Sequence, residues 1–154
     1  MLIHLATDHA GFEHKQAIAE WLEAEGMTVI DHGAHTYDSE DDFPDFIALA
    51  AKAVSAKPQT ECAIIFGGSG TGEAVMANRF VGVRAVVLYA DTPEIVALSR
   101  EHNNANVLSI GARFVSVDDA KKHIWEWLHT HAELAEKYQR RNQRIDTITK
   151  EFYA

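Results

Sequence analysis

Short apolar runs recur along the chain: "LIHLAT" (2–7), "MTVI" (27–30), "CAIIF" (62–66), "RAVVLYA" (84–90) and "NVLSIG" (106–111). Each is too short for a helix and predicts a buried strand. Between them, apolar residues fall at helical spacing, as at Phe12, Ile18, Trp21 and Leu22, and at Ile47, Ala50, Ala51 and Val54, which predicts helices. Strand alternating with helix implies right-handed βαβ units. The expected fold is therefore α/β, a doubly wound parallel sheet of five strands with helices on both faces. A chain of 154 residues is enough for one well-buried core, and a single domain is expected. The stretch from about 131 to 152 reads as an extra helix, polar on most faces and with no strand after it, expected to pack on a partner subunit.

In such sheets functional groups collect where strands end and helices begin. The turns to inspect are "TDHAG" (7–11), "GGSGTGE" (67–73), "YADTPE" (89–94) and "GARF" (111–114). The longer "DHGAHTYDSEDDFPD" (31–45) reads as a solvated acidic loop leading into a helix near Pro44.

The glycine loop fits neither of two phosphate-binding patterns. No lysine follows the glycines as a P-loop requires, and Gly70-Thr71-Gly72-Glu73 breaks the dinucleotide fingerprint. Glu73 would also repel a resident phosphate. An anion that forms during a reaction, such as an enediolate, instead needs backbone donors and a nearby base together, and this loop offers both. A second reading stays open at this level: the glycines only make a tight turn, and Glu73 only favours the helix start.

The other edge residues are individually ambiguous. Asp8 either caps the first helix or reaches the mouth of the sheet with His9. His102, Asn103 and Asn104 end a helix, where such residues are common stop signals. Arg113 either reaches the pocket or pairs with an acid. Arg140 and Arg144, four apart, share a helix face that suits capture of a phosphate or simply faces water. Cys62 reads as a small buried hydrophobe.

Composition narrows the partners. A net charge of -9 argues against a general nucleic-acid binder, although Lys137, Arg140, Arg141 and Arg144 form a local cationic cluster. No apolar run is long enough for a bilayer span. One cysteine excludes an internal disulfide, and with no leader-like opening a cytoplasmic location is expected. The histidine pairs His32/His35 and His129/His131 lack the spacing and companions of a zinc site, so neither metal nor cofactor is expected.

Taken together, "TDHAGFEHK" (7–15), "GGSGTGE" (67–73), "ANRFVGVRA" (77–85), "SREHNNANVLSIGAR" (99–113) and "RRNQRID" (140–146) resemble the type B ribose-5-phosphate isomerase family, which also holds galactose-6-phosphate isomerase subunits. The resemblance runs over nearly the whole chain in order. It implies a Rossmann-like domain, a homodimer (or a tetramer) with active sites between subunits, and metal-free interconversion of ribose 5-phosphate and ribulose 5-phosphate. By position, Glu73 would be the base moving a proton between C1 and C2. Ser69 and the N–H groups of Gly70, Thr71 and Gly72 would stabilise the enediolate, with Gly68 beside the substrate. His102 would assist ring opening, Asp8 would bind sugar oxygens, and Asn103 would hold the loop side of the site. His9, Arg113, Arg140 and Arg144 would bind the phosphate, some from the partner subunit. Many members carry a cysteine base at the position of Gly67; its absence here shifts the role to Glu73. The alternative substrates are allose or galactose 6-phosphate or a tetrose 4-phosphate. A flavodoxin-like or receiver-type signalling module on the same fold is the distant alternative. It lacks support at Phe66-Gly67, where a receiver wants an aspartate.

Overall fold

The computed structural model describes residues 2–133 and 135–153. Five strands, β1 (Leu2–Thr7), β2 (Thr28–Asp31), β3 (Glu61–Gly67), β4 (Ala85–Leu88) and β5 (Val107–Gly111), form one parallel sheet in the order β2-β1-β3-β5-β4. The helices are α1 (Phe12–Ala24), α2 (Phe43–Ala56), α3 (Thr71–Ala77), α4 (Pro93–Glu101), α5 (Val117–His129) and α6 (Glu136–Tyr153). This is the Rossmann-like arrangement expected. No helix among the described residues is long and apolar enough to cross a membrane.

Alternation along the central strands builds two cores. Ile3 and Leu5 of β1, Ile64 and Phe66 of β3 and Leu108 and Ile110 of β5 pack on one face with Ile18 and Leu22 of α1 and Ile124 and Trp127 of α5. Ala6, Ala63, Ile65 and Val107 pack on the other face with Ile47, Ala50, Ala51 and Val54 of α2. Central strands of a sheet covered on both sides read as unbroken apolar runs, which is why β1, β3 and β5 stand out in the sequence. The edge strands differ from expectation. β2 is largely exposed, with Ile30 at 41%, and β4 ends at Leu88, leaving Tyr89 outside the ladder. An edge strand packs against one neighbour, so its apolar content overstates its burial.

From β1 the chain runs outward to β2 and then returns to β3 on the other side of β1. The direction of winding therefore reverses between β1 and β3, and a crevice opens beyond their carboxyl ends. Asp8 follows β1 and Gly67 ends β3 at that point.

The acidic loop after β2 is exposed over residues 35–40, as expected, but its start is anchored. Lys15 of α1, 1% exposed, places Nζ 2.6 and 2.5 Å from the two Asp31 carboxylate oxygens and 2.8 Å from the Ala34 carbonyl. Thr7 N–H donates to the Gly33 carbonyl and Ala34 N–H to the Thr7 carbonyl, both at 2.8 Å. These bonds fold the loop back over the end of β1. Pro44, in the first turn of α2, suits a position whose missing N–H costs nothing.

Helix α6 begins at Glu136 and sits against its own chain through a small polar set. Arg84 contacts Asp146 at 3.1 Å, Asn142 donates to the His102 carbonyl at 3.1 Å, and the His102 ring stacks on Tyr138 at 4.0 Å. Ile145, Ile148 and Phe152 remain exposed on it.

Removing one member of a buried ion pair costs ~3–5 kcal/mol. Asp31 keeps 37% side-chain exposure, so Lys15→Ala is expected to lower stability by less, about 2–3 kcal/mol, in urea unfolding. A change under about 0.5 kcal/mol, the size of an ordinary surface substitution, would show that the tie is not structural.

Candidate active site

Asp8, His9, Phe43, Gly68, Ser69, Gly72, Glu73, Arg113 and Phe114 line a cleft of ≈ 420 Å³ at the switch point. Four chain segments that the topology brings to one edge build it: the turn after β1, the start of α2, the loop between β3 and α3, and the turn after β5.

The glycine loop is shaped by two close approaches. At Gly67 a Cβ would lie 1.9 Å from Oε1 and 2.0 Å from Cδ of Glu73, so the Glu73 carboxylate occupies the space a side chain at residue 67 would need. At Gly70 the backbone is left-handed, φ 77, and its carbonyl accepts from Ser109 Oγ at 2.6 Å. That turn sends the chain into α3 with Glu73 in its first turn. Gly67 and Gly68 carbonyls accept from the N–H groups of Ala112 and Arg113 at 2.8 and 3.2 Å. The loop's carbonyls are thus consumed internally, while the N–H groups of Gly68, Ser69 and Gly70 find no acceptor among the described residues. Ser69 Oγ lies 2.7 Å from Thr71 Oγ1 and accepts from the Thr71 N–H at 3.3 Å.

Glu73 is 4% exposed. Burial raises its pKa above the ordinary glutamate value, the nearby charge of Asp8 adds to the rise, and a hydrogen bond from its own N–H opposes both. No arginine enters this balance. A carboxylate so placed is more basic than one in water and needs only a substrate proton within reach.

Asp8 reconciles its two sequence readings. Its Oδ1 accepts from Ala10 N–H at 3.0 Å, capping the short turn His9–Gly11, while the residue, 7% exposed, also lines the cleft. His9 is tied to the acidic loop. Its backbone N–H donates to Asp41 Oδ1 at 3.0 Å and its Nδ1 lies 2.7 Å from the same oxygen. This hydrogen bond raises the His9 pKa; burial opposes it, Asp8 and the Asp41 charge add to it, and Arg113 opposes it. The Arg113 guanidinium packs over Gly68, where a Cβ would meet its Cζ at 3.2 Å.

Four of the expected site residues lie elsewhere in the chain. His102 caps the end of α4 and stacks on Tyr138, Asn103 follows it, and Arg140 and Arg144 are exposed on α6. None of the four lines the cleft. Arg140 and Arg144 make no hydrogen bond or ion pair among the described residues.

Two contributors were missed by sequence reasoning. Asp41 sits in a run of similar acids, and nothing in that run marks it out. Phe43, which packs against Gly72, was a visible signal as the one large apolar residue between acids. As for metals, Asp8, His9 and Asp41 bring ligand atoms within 4.8 Å of one another, as do Glu101, His102 and Glu133; His32 and His35 belong to neither group. In the first group the His9 and Asp41 atoms already engage each other. His32 instead lies 2.9 Å from buried His4, which is 2.9 Å from Glu61. Cys62 is 5% exposed and burial pushes its thiol up to about 12, which removes it as a nucleophile.

The ribose/galactose isomerase family model matches residues 3–148. The ribose-5-phosphate isomerase B of Mycolicibacterium paratuberculosis is 40% identical over 141 residues, covering 92% of this chain and 87% of that protein. The Escherichia coli ribose-5-phosphate isomerase B is 38% identical, covering 96% and 93%. A crystal structure of Mycoplasma genitalium ribose-5-phosphate isomerase B with bound ribulose-5-phosphate superposes with a TM-score of 0.92 at 34% identity over 97% of each chain. With the family model matching most of its length and relatives of 38–40% identity covering nearly all of it, the chain belongs to the ribose/galactose isomerase family.

Proposed function

We propose that this enzyme interconverts ribose 5-phosphate and ribulose 5-phosphate through a cis-enediolate, with Glu73 as base. The observation that carries the reading is the buried Glu73 carboxylate in the space beside Gly67, next to loop N–H groups that have no acceptor. The relatives' names and the ribulose-5-phosphate complex of one of them support the pentose phosphate as substrate.

In the aldose-to-ketose direction, Glu73 takes the proton from C2 of the open chain, and the C2–H electron pair forms the enediolate double bond. Negative charge on the carbonyl oxygen is met by the N–H groups of Gly70, Thr71 and Gly72 and by the Ser69 hydroxyl, the Thr71 N–H giving up its 3.3 Å bond to Ser69 Oγ. The protonated Glu73 then delivers its proton to C1, while the hydroxyl proton moves from O2 to O1. No atom is gained or lost, and no step in this scheme calls for a metal or cofactor. Asp8 orients the sugar hydroxyls. His9 and Arg113 hold the phosphate, whose binding energy orients the reacting carbons.

His102, Asn103, Arg140 and Arg144 act in a partner's cleft in this reading, giving a homodimer with shared sites. The support is their distribution: unpaired arginines and exposed Ile145, Ile148 and Phe152 on a helix tied to its own chain by an ion pair, a hydrogen bond and one ring stack. The single, buried cysteine fits a cytoplasmic enzyme. A longer sugar phosphate, such as allose or galactose 6-phosphate, is the second reading, favoured by the galactose isomerases within the same family.

Glu73→Gln, assayed by coupled turnover of ribose 5-phosphate, is expected to lose a factor of ~10³ or more in kcat with substrate binding kept within about tenfold. Near-normal turnover would eliminate Glu73 as base, and turnover only of a hexose phosphate would change the substrate. The base must be ionised, so the acid limb of kcat/KM should lie above the ordinary glutamate value of 4.5.

The same variant tests the cost of burial. A carboxyl whose pKa is raised by folding destabilises the fold where it is ionised and ceases to do so as pH falls through the raised value. Glu73→Gln should therefore melt above wild type at pH 7, and the gap should close in acid; an equal or lower Tm at pH 7 would contradict the burial argument.

A further inference from the structure

Asp41 is the residue of the acidic loop that the fold drives against the cleft. Its side chain is 9% exposed, and a single oxygen, Oδ1, receives both the backbone N–H and the ring Nδ1 of His9 at 3.0 and 2.7 Å. Oδ2 is buried and has no hydrogen-bond partner. A carboxylate that leaves one oxygen unsatisfied inside the protein is costly, and a surface acid serving only solubility would not be held this way. The cost is accepted where Asp41 touches a residue that lines the cleft.

We propose that Asp41 is the positioning residue of His9: it grips the ring through Nδ1 and leaves Nε2 as the one nitrogen that can face the anionic end of the substrate. The inference rests on the reading of His9 as a phosphate ligand and deepens it.

The hydrogen count makes the grip consequential. An ionised carboxylate only accepts, so the proton of this bond sits on Nδ1. A neutral ring with its hydrogen there presents a bare lone pair at Nε2, which repels a phosphate. Only the cation carries N–H on both nitrogens. His9 therefore binds the phosphate as an imidazolium or not at all, and Asp41 favours that form. Asp8, whose Oδ2 is 3.9 Å from Nδ1, acts in the same direction, and Arg113 across the cleft acts against it. Glu73 is the remaining ionisable group lining the cleft, and the Tyr37 ring meets His9 edge-on at 6.4 Å. Because the pKa is raised, the imidazolium persists above the ordinary histidine value of 6.5 and is lost as pH climbs through the raised one.

Asp41→Asn keeps an oxygen acceptor and the shape but removes the charge. Two readouts separate positioning from mere structure. Nitrogen-15 NMR of the ring, with His9 identified by its loss in His9→Gln, should show Nδ1 protonated in wild type and titration above 6.5, moving to lower pH in Asp41→Asn. Steady-state kinetics with ribose 5-phosphate at pH 7.5, where the phosphate is a dianion, should show KM raised about tenfold in Asp41→Asn with kcat within about threefold. The rise of KM with pH should also begin at lower pH than in wild type. A superimposable KM–pH profile and an unmoved His9 titration, with KM raised by His9→Gln, would overturn Asp41's part alone. An unchanged KM in His9→Gln would overturn the phosphate reading beneath it. Should Asp41→Asn fail to fold, the wild-type spectrum still decides, because an unprotonated Nδ1 or titration at or below 6.5 would overturn the proposal.

Discussion

The site is organised by a competition for one small volume. The Glu73 carboxylate lies where the first side-chain atom of residue 67 would be, so the two positions cannot both carry a side chain in this conformation. That constraint selects glycine at the end of β3 and fixes the carboxylate at the switch point of the sheet. Burial there makes it a stronger base. Gly70, in its left-handed conformation, then turns the chain into α3, whose first turn carries Glu73. The geometry also bears on family members with a cysteine at the position of Gly67: a thiol there would project into the volume that the carboxylate fills here.

A second constraint acts from the opposite wall. Buried Lys15 pins Asp31 and the Ala34 carbonyl, and the bonds between Thr7 and the Gly33–Ala34 segment fold the acidic loop across the end of β1. Once the loop is turned back, Asp41 meets His9 and Phe43 meets Gly72. The cleft therefore depends on an ion pair outside it, in the same way that the placement of the Glu73 carboxylate depends on a glycine. Both are cases of positioning set by residues outside the cleft lining.

Much of this was legible in the sequence. Strands β1, β3 and β5 are covered on both faces and read as apolar runs, and the turns following them contain Asp8, His9, the glycine loop and Arg113. The edge strands were overread, since half-covered strands look as apolar as buried ones over four residues. Asp41 was not legible because its contact with His9 comes from the folding back of the loop, and its neighbours in sequence are equally acidic. The net direction of the Glu73 shift was also out of reach, because it depends on how deeply the carboxylate is buried. His102, Asn103, Arg140 and Arg144 were read as one site with Glu73, and a single chain keeps them apart from it. Only a second copy joins the two sets, and that remains part of the proposal.

The most direct measurement is turnover of ribose 5-phosphate by the double variant Gly67→Cys/Glu73→Ala against Glu73→Ala alone. If the residue 67 and 73 side chains share one catalytic volume, removing the carboxylate abolishes activity and a thiol rooted at residue 67 restores it, by about tenfold or more over the single variant. Wild-type turnover by Glu73→Ala, or no gain from the thiol, would contradict the account.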